Sequence, residues 1–170
     1  MEDLSDTMNL FIFDKDTHEN AKFHPDKYIV KMPTEACQVI STVLRGQGDS
    51  SDFLFKSTHA RHPVTLWAAE KEENLVYVAQ YCRALLAEYD YRFGKKDKFV
   101  RSRLISNYVL GKFQGGSTSD FALAMPEIYK NKDAVLAYRE YFKNEKKHLF
   151  NWENREIPEW LNLQKNNKVS

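Results

Sequence analysis

Two lysines and a glutamate recur at four-residue steps in the first third of the sequence. Lys27, Lys31 and Glu35 share one face if the segment is a continuous helix, and Gln38 follows one turn further on. A lysine near a second cation, or partly desolvated, can lose its proton and attack a sugar carbon to form a Schiff base, while a nearby carboxylate stabilises an oxocarbenium-like centre. The same spacing also fits surface ion pairs, each contributing about 0.3 to 0.5 kcal/mol.

A second group of candidate residues lies at the predicted start of a helix, between Thr58 and Trp67. Backbone N–H groups at a helix start suit a phosphate, so His62 is a candidate contact, and the Trp67 indole offers a stacking face for a base. A buried core position explains Trp67 equally simply. His59 and His62 have no identifiable third ligand, so the sequence predicts no metal site and no cofactor.

Positive charge is concentrated in one stretch, although the formal net charge of the whole chain is only +1. Between Arg92 and Lys112 the sequence has seven basic residues and one acid. A local positive field attracts phosphate, and a solvated helix face produces the same pattern. The predicted phosphate contacts in this stretch are Arg92, Lys95, Lys96, Arg101 and Arg103.

The C-terminal region adds a third group, in which Arg155 and Trp160 lie close to Trp152 and Pro158. Aromatic and arginine side chains of this kind stack on unpaired bases, and a tail closing over the core has the same composition. Glycine-rich phosphate loops, serine-hydrolase elbows and Cys/His metal motifs are absent from the sequence, which disfavours nucleotide triphosphatases, serine hydrolases and zinc deaminases.

The elements that must position these residues are predicted to be helices. The apolar stripe from Tyr28 to Val43 indicates a first helix, which either starts at Pro33 or runs from Asp26 through a kink. Further helices are predicted over 64–93, 99–110 and 134–150, and residues 10–13 form a short strand or an extended segment. The expected fold class is all-α, a compact single domain of about four main helices with long loops.

The length of 170 residues fits one domain, predicted to span 8–162 between an N-terminal extension (1–7) and a polar tail (163–170). The longest apolar runs are about four residues, against the roughly 20 that a membrane helix needs, so no membrane contact is expected. The acidic N-terminus is unlike a secretory signal, which favours a cytoplasmic location. Cys37 and Cys82 are isolated in the sequence and predict neither a disulfide framework nor a four-cysteine zinc site.

Four sequence blocks recur in a familiar order between Met8 and about Trp160. They are Asp26-Lys27-x-x-Val30-Lys31-Met32-x-x-Glu35-x-x-Gln38, His62-Pro63-x-x-x-Trp67, Glu88-Tyr89-x-Tyr91-Arg92-Phe93-Gly94-Lys95 and Arg155-x-x-Pro158-x-Trp160. The chain thereby resembles a family of phage-encoded pyrimidine-dimer DNA glycosylases, and more distantly the endonuclease V type of that enzyme.

The resemblance implies a mainly helical domain that binds duplex DNA, flips a base out, cleaves the glycosidic bond through an imine and breaks the strand by β-elimination without a metal. The catalytic glutamate of the family corresponds by pattern to Glu35. The family nucleophile is the α-amino group of the processed N-terminus, whereas seven residues precede Met8 here, so Lys31 or Lys27 must supply the amine. The family arginines near that glutamate are also absent, because Thr34 and Gln38 flank Glu35.

The leading hypothesis is therefore a DNA glycosylase with AP-lyase activity on damaged or modified pyrimidines in duplex DNA. One alternative is a phage DNA-base modification or nucleotide-processing enzyme on the same scaffold, which the displaced amine favours. Another is a non-catalytic module that binds nucleic acid, a nucleotide or a host protein, which fits the near-zero net charge and the 9 tyrosines.

Overall fold

The computed structural model describes residues 8–95 and 97–161, and within these ranges every regular element is a helix. The predicted N-terminal extension, the predicted tail and Lys96 lie outside the described residues. The all-α class is confirmed, with six α-helices in the described part of the chain where about four were expected. They are α1 (Thr17–Phe23), α2 (Asp26–Gly46), α3 (Pro63–Glu70), α4 (Glu72–Phe93), α5 (Val100–Lys112) and α6 (Ala134–Glu145), with 3₁₀ turns at Glu127–Tyr129, Lys147–Leu149 and Glu159–Leu161.

Helix α2 is the central element and carries the Lys31–Glu35 face. Of the two predicted starts, the structure has the earlier one, because the helix begins at Asp26 and continues through Pro33. Proline lacks the N–H that would bond to the Ile29 carbonyl, so that turn depends on packing. Its apolar stripe, which includes Ile29 and Ile40, is completely buried and packs mainly against α4.

The predicted helix over 64–93 is two helices, because Lys71 is extended (φ −159°, ψ 161°). The Asn74 side-chain amide donates to the Trp67 carbonyl (2.8 Å), which satisfies an acceptor near the end of α3. The predicted helix over 134–150 was also too long and ends at Glu145, where a 3₁₀ turn follows. Periodicity alone does not detect such breaks, because the apolar spacing continues across them.

Residues 8–13 run extended through the core and contain no strand. Phe11 and Phe13 are completely buried, and the Asn20 side chain holds both of their backbones. It donates to the Phe11 carbonyl (3.0 Å) and accepts from the Phe13 N–H (2.8 Å). This contact depends on α1, a helix too short for the sequence pattern to reveal, whose start is capped by the Asp16 side chain.

Cys37 and Cys82, although isolated in the sequence, meet in the core between α2 and α4. Both are free and completely buried, and their Sγ atoms are 3.5 Å apart. The hydrogen bond from Cys82, followed by burial, raises the pKa of the Cys37 thiol. The two side chains therefore belong to the packed interface between α2, the helix that carries Glu35, and α4.

His24 is completely buried between α1 and α4. Its Nδ1 lies 2.6 Å from the Asn20 carbonyl oxygen and its Nε2 lies 2.8 Å from the Tyr81 hydroxyl. Since a carbonyl only accepts, we assign the ring proton to Nδ1, so that Nε2 accepts from Tyr81. Burial lowers the pKa of His24 from 6.5 to about 3, so the ring is neutral at neutral pH.

The free energy of unfolding is expected to fall by about 1 kcal/mol from this residue when the pH drops from 7 to 5.5. Unfolded His24 takes up a proton near pH 6.5 and the native residue does so only near pH 3, so the unfolded state binds more protons in this interval. Urea unfolding of the wild type and His24→Asn at both pH values measures the effect. An equally large decrease in the variant would contradict this assignment.

Candidate functional site

The predicted pair on α2 is brought together. The Lys31 Nζ lies 3.4 Å from the Glu35 Oε1, one helical turn along the same face. The Lys31 side chain is 40% exposed, whereas that of Glu35 is 11% exposed. Lys27 lies one turn earlier and is exposed. The amine therefore faces solvent, and the carboxylate lies at the edge of the core.

Tyr81, in the core, is affected electrostatically by Glu35. Burial is the main cause that raises the pKa of Tyr81, and the neighbouring Tyr77 and the Glu35 carboxylate add to it. The Tyr81 hydroxyl lies 2.8 Å from neutral His24. The Glu35 side chain is only 11% exposed, so a positive charge forming nearby interacts with its carboxylate more strongly than in water.

The face continues along α2 to the loop of residues 56–62, which we call the basic loop. The Thr42 side chain, two turns beyond Glu35, accepts from the Thr58 N–H (3.0 Å) and donates to the Thr58 carbonyl (3.1 Å). The loop carries Lys56 and Arg61, both exposed and neither ion-paired with a described residue. Arg61 belongs to the group predicted between Thr58 and Trp67, whereas Lys56 lies outside every stretch that the sequence pointed to.

Arg92 was predicted to contact phosphate, but the structure buries its side chain within the fold. Its side chain is completely buried and ion-paired with Glu88 Oε1 (2.9 Å) and Asp26 Oδ1 (3.0 Å). A third contact runs from its guanidinium to the Lys22 carbonyl (3.0 Å). A guanidinium without exposed surface does not reach DNA in this conformation.

The two other arginines of that stretch also hold the protein's own groups. Arg101 donates to the carbonyls of Phe53 (2.6 Å) and Leu54 (2.7 Å). Arg103 donates to Asp90 Oδ1 (2.7 Å). Lys95 is exposed, and the predicted contact Lys96 lies outside the described residues. Much of the positive charge seen in the sequence is therefore used within the fold.

The predicted DNA contacts Trp67, Trp160 and His62 likewise contact other residues of the fold. Trp67 is only 3% exposed, and Trp160 packs on Phe13 with ring centroids 5.2 Å apart. His62 Nδ1 accepts from the Val64 N–H (3.1 Å) and so caps α3, while burial, followed by His59, lowers the pKa of His62. Stacking of a base on either tryptophan requires a neighbouring side chain to move first.

Arg155 completes a set that we call the Glu88 network, formed by Asp26, Glu88, Arg92 and Arg155. Arg155 binds both Glu88 oxygens (2.7 and 3.0 Å) and stacks on the Tyr91 ring at 3.8 Å. Burial raises the pKa of Glu88, but the hydrogen bonds from Arg155 and Arg92 prevail and lower it overall. Three of the four sequence blocks meet in this network, which joins α2, α4 and the C-terminal segment.

Among residues 8–95 and 97–161, no three His, Cys, Asp or Glu side chains come together as a metal site. In the same part of the chain, no helix combines the length and apolar character needed to cross a membrane.

Comparison with known proteins assigns the family. The family described as pyrimidine dimer DNA glycosylase matches residues 8–101, more than half of the chain, including all of α2 and the Lys31–Glu35 pair. Comparisons with curated proteins and with solved structures gave no match. On the strength of the family match, the chain belongs to the pyrimidine dimer DNA glycosylase family.

Proposed function

We propose that this protein is a DNA glycosylase with an associated AP-lyase activity, acting on damaged or modified pyrimidines in duplex DNA. The observation that carries the proposal is the 3.4 Å approach of the Lys31 amine to the Glu35 carboxylate. Family membership supports the glycosylase class and DNA as the substrate.

The pair supplies the two groups that the reaction needs. The Lys31 nitrogen attacks C1′ of the deoxyribose, and the base leaves with the glycosidic electron pair and takes up the proton that the nitrogen gives up. Glu35 stabilises the positive charge at C1′ while that bond breaks. Opening of the sugar ring gives an iminium ion on Lys31. Loss of a proton from C2′ then expels the 3′ phosphate, and water releases the lysine.

The DNA backbone is proposed to lie along the face from Lys27 to the basic loop. Lys27, Lys56 and Arg61 are exposed there, without ion pairs to described residues, so binding a phosphate breaks no internal contact. Lys95 is exposed and remains a candidate phosphate contact. Arg92, Arg101 and Arg103 are bound to groups of the protein itself, so we do not include them in the proposed DNA-binding surface.

The proposed activity is tested with an end-labelled duplex that contains one cyclobutane thymine dimer, alongside the undamaged duplex. Cleavage of the damaged strand without alkali is expected, because base release and β-elimination occur on the same lysine. Cleavage only after alkali would show that the protein releases the base but does not break the strand, which would support the glycosylase activity and contradict the lyase activity. Intact strands with and without alkali would contradict the proposal and favour a binding module.

The double substitution Lys56→Gln/Arg61→Gln is expected to weaken DNA binding and to reduce the slope of log affinity against log salt by about 2. Each neutralised phosphate releases about 0.9 counterion, so the loss of two phosphate contacts lowers the slope by about 2. Fluorescence anisotropy measures the affinity at several salt concentrations between about 50 and 200 mM. Arg83→Gln/Lys147→Gln is the matched control, since both residues are exposed and lie outside this surface. Equal slopes in the two double variants would rule out the basic loop as a DNA contact.

A further inference from the structure

Phe121 lies between two cavities. On its outer side is a cleft of about 560 Å³, lined by polar and charged side chains that include Lys15, Asn131 and Lys132. On its inner side is a narrow apolar cavity of about 170 Å³ of empty space, no part of which is wide enough for water. The inner cavity is lined by Leu10, Ile12, Val64, Trp67, Phe121 and Ala122.

Trp67, which lines the inner cavity, carries a buried donor. Trp67 Nε1 is inaccessible to solvent and has no hydrogen-bond acceptor among residues 8–95 and 97–161. Buried N–H groups are normally paired with the protein or with water, and here the cavity is too narrow for water. A ligand that brings an acceptor to this position would complete the pairing.

Phe121 packs against the rings of Trp67 and Tyr77, which meet each other edge to face at 89°, and we call the space that the Phe121 ring occupies the slot. The Phe121 centroid lies 5.4 Å from that of Trp67 and 4.9 Å from that of Tyr77, and the latter two are 5.9 Å apart. Phe121 is half-buried, whereas Trp67 and Tyr77 are buried. A nucleobase has a comparable ring, stacks on aromatic side chains and offers the carbonyl or ring-nitrogen acceptor that the Trp67 N–H lacks.

Phe121 is carried by a loop and not by a helix. It belongs to the non-helical segment between α5 and α6, and contacts on either side anchor that segment. The Ser119 N–H donates to Asn74 Oδ1 (3.0 Å), and the Tyr138 hydroxyl donates to the Ala122 carbonyl (2.6 Å). The neighbouring backbone is thereby fixed while the Phe121 side chain faces both cavities.

The slot is connected to the Lys31–Glu35 pair through α4. Tyr77 lies one helical turn before Tyr81 on this helix, and the Glu35 carboxylate is one of the groups that raise the pKa of Tyr81. Lys15 and Lys132 in the outer cleft provide positive charge for a phosphate. Asp120 and Asp133 also line that cleft, and Asp133 accepts from the Val135 N–H (3.0 Å) at the start of α6.

We propose that Phe121 occupies the position of a nucleobase. The base takes the place of the Phe121 ring against Trp67 and Tyr77 and accepts a hydrogen bond from Trp67 Nε1, while its sugar and phosphate lie in the outer cleft. That the base is extruded from DNA rests on the proposed function. A free nucleoside monophosphate offers the same chemistry.

Two probes that contain no cleavable lesion test this site in the full-length protein. One is thymidine 5′-monophosphate, titrated by calorimetry, and the other is a duplex with one mismatched 2-aminopurine, titrated by fluorescence. Phe121→Ala is expected to tighten binding about tenfold, because the displaced ring no longer competes with the base. Trp67→Phe is expected to weaken binding about tenfold, because it keeps a ring and removes the donor. Phe113→Ala, also half-buried and between α5 and α6, is the matched control.

The two arms distinguish the sources of the base. A response to the duplex alone assigns the slot to an extruded base, and a response to the monophosphate alone assigns it to a free nucleotide. Absence of binding to both probes, or affinities for Phe121→Ala equal to those of the wild type and Phe113→Ala, would overturn the inference. Cleavage of dimer-containing DNA in parallel separates that outcome from failure of the proposed function. Phe121→Ala decides the test by itself if Trp67→Phe does not fold.

Discussion

Replacing Glu35 with glutamine is expected to lower the rate of base release at least about 100-fold while the protein stays folded. The amide keeps the shape of the side chain but removes the negative charge that stabilises C1′ as the glycosidic bond breaks. The Lys31–Glu35 ion pair is partly exposed, so its loss should cost at most about 1 kcal/mol of stability. Single-turnover release of the damaged base measures the rate without a contribution from product dissociation.

The control for this substitution is Glu140→Gln, which changes the charge by the same amount at an exposed position of α6. Its rate should equal that of the wild type. Binding of the dimer-containing duplex should stay within about threefold for both variants, because the proposed phosphate contacts are lysines and arginines. Unchanged base release by Glu35→Gln would remove Glu35 from the reaction.

Replacing Arg92 with alanine is expected to lower the free energy of unfolding by about 3 to 5 kcal/mol. The Arg92 side chain has no exposed surface, and its removal leaves the carboxylates of Glu88 and Asp26 without the cation that pairs them. Arg155 still contacts Glu88 but has no described contact with Asp26. Urea unfolding at neutral pH measures the loss.

Arg83→Ala on the same helix is the matched control, since its side chain is exposed and its change should stay within about 0.5 kcal/mol. The two roles considered for Arg92 predict different results. A phosphate contact would reduce the salt dependence of DNA binding and leave stability unchanged. A loss of stability below about 1 kcal/mol would contradict the structural role of Arg92.

The parts of this structure that the sequence predicts depend on local spacing. The approach of Lys31 to Glu35 follows from the i, i+4 geometry of any helix and needs only that α2 be continuous. The end of α4 at Gly94 is also local, because that residue adopts a left-handed conformation (φ 65°) that favours glycine. The all-α class follows from the same periodicity.

The parts that the sequence does not predict depend on partners far along the chain. The charge of Arg92 suggests a surface contact. In the structure, however, Arg92 binds Asp26, which lies 66 residues earlier, and it shares Glu88 with Arg155. Arg101 likewise binds carbonyls 47 and 48 residues away. Basic residues gathered in the sequence therefore overstate the positive surface, whereas Lys56 and Arg61 of the basic loop are exposed outside that stretch.

The environment of the aromatic residues also depends on partners far along the chain. Trp67 suggests a stacking platform, and the structure buries it behind Phe121, more than 50 residues away in a loop without a periodic signal. The donor that Trp67 leaves unpaired depends on how three separate segments close over it, so no local pattern encodes it.

The central claim is that the Lys31 amine forms the covalent bond to the sugar, and borohydride trapping followed by peptide mapping tests it most directly. The protein is incubated with dimer-containing duplex and borohydride, digested and analysed by mass spectrometry. The account predicts a deoxyribose adduct on Lys31 that is lost in Lys31→Arg, which keeps the charge but forms no imine, and that persists in Lys27→Arg. An adduct on Lys27 or on any other amine, or strand cleavage without any adduct, would contradict it.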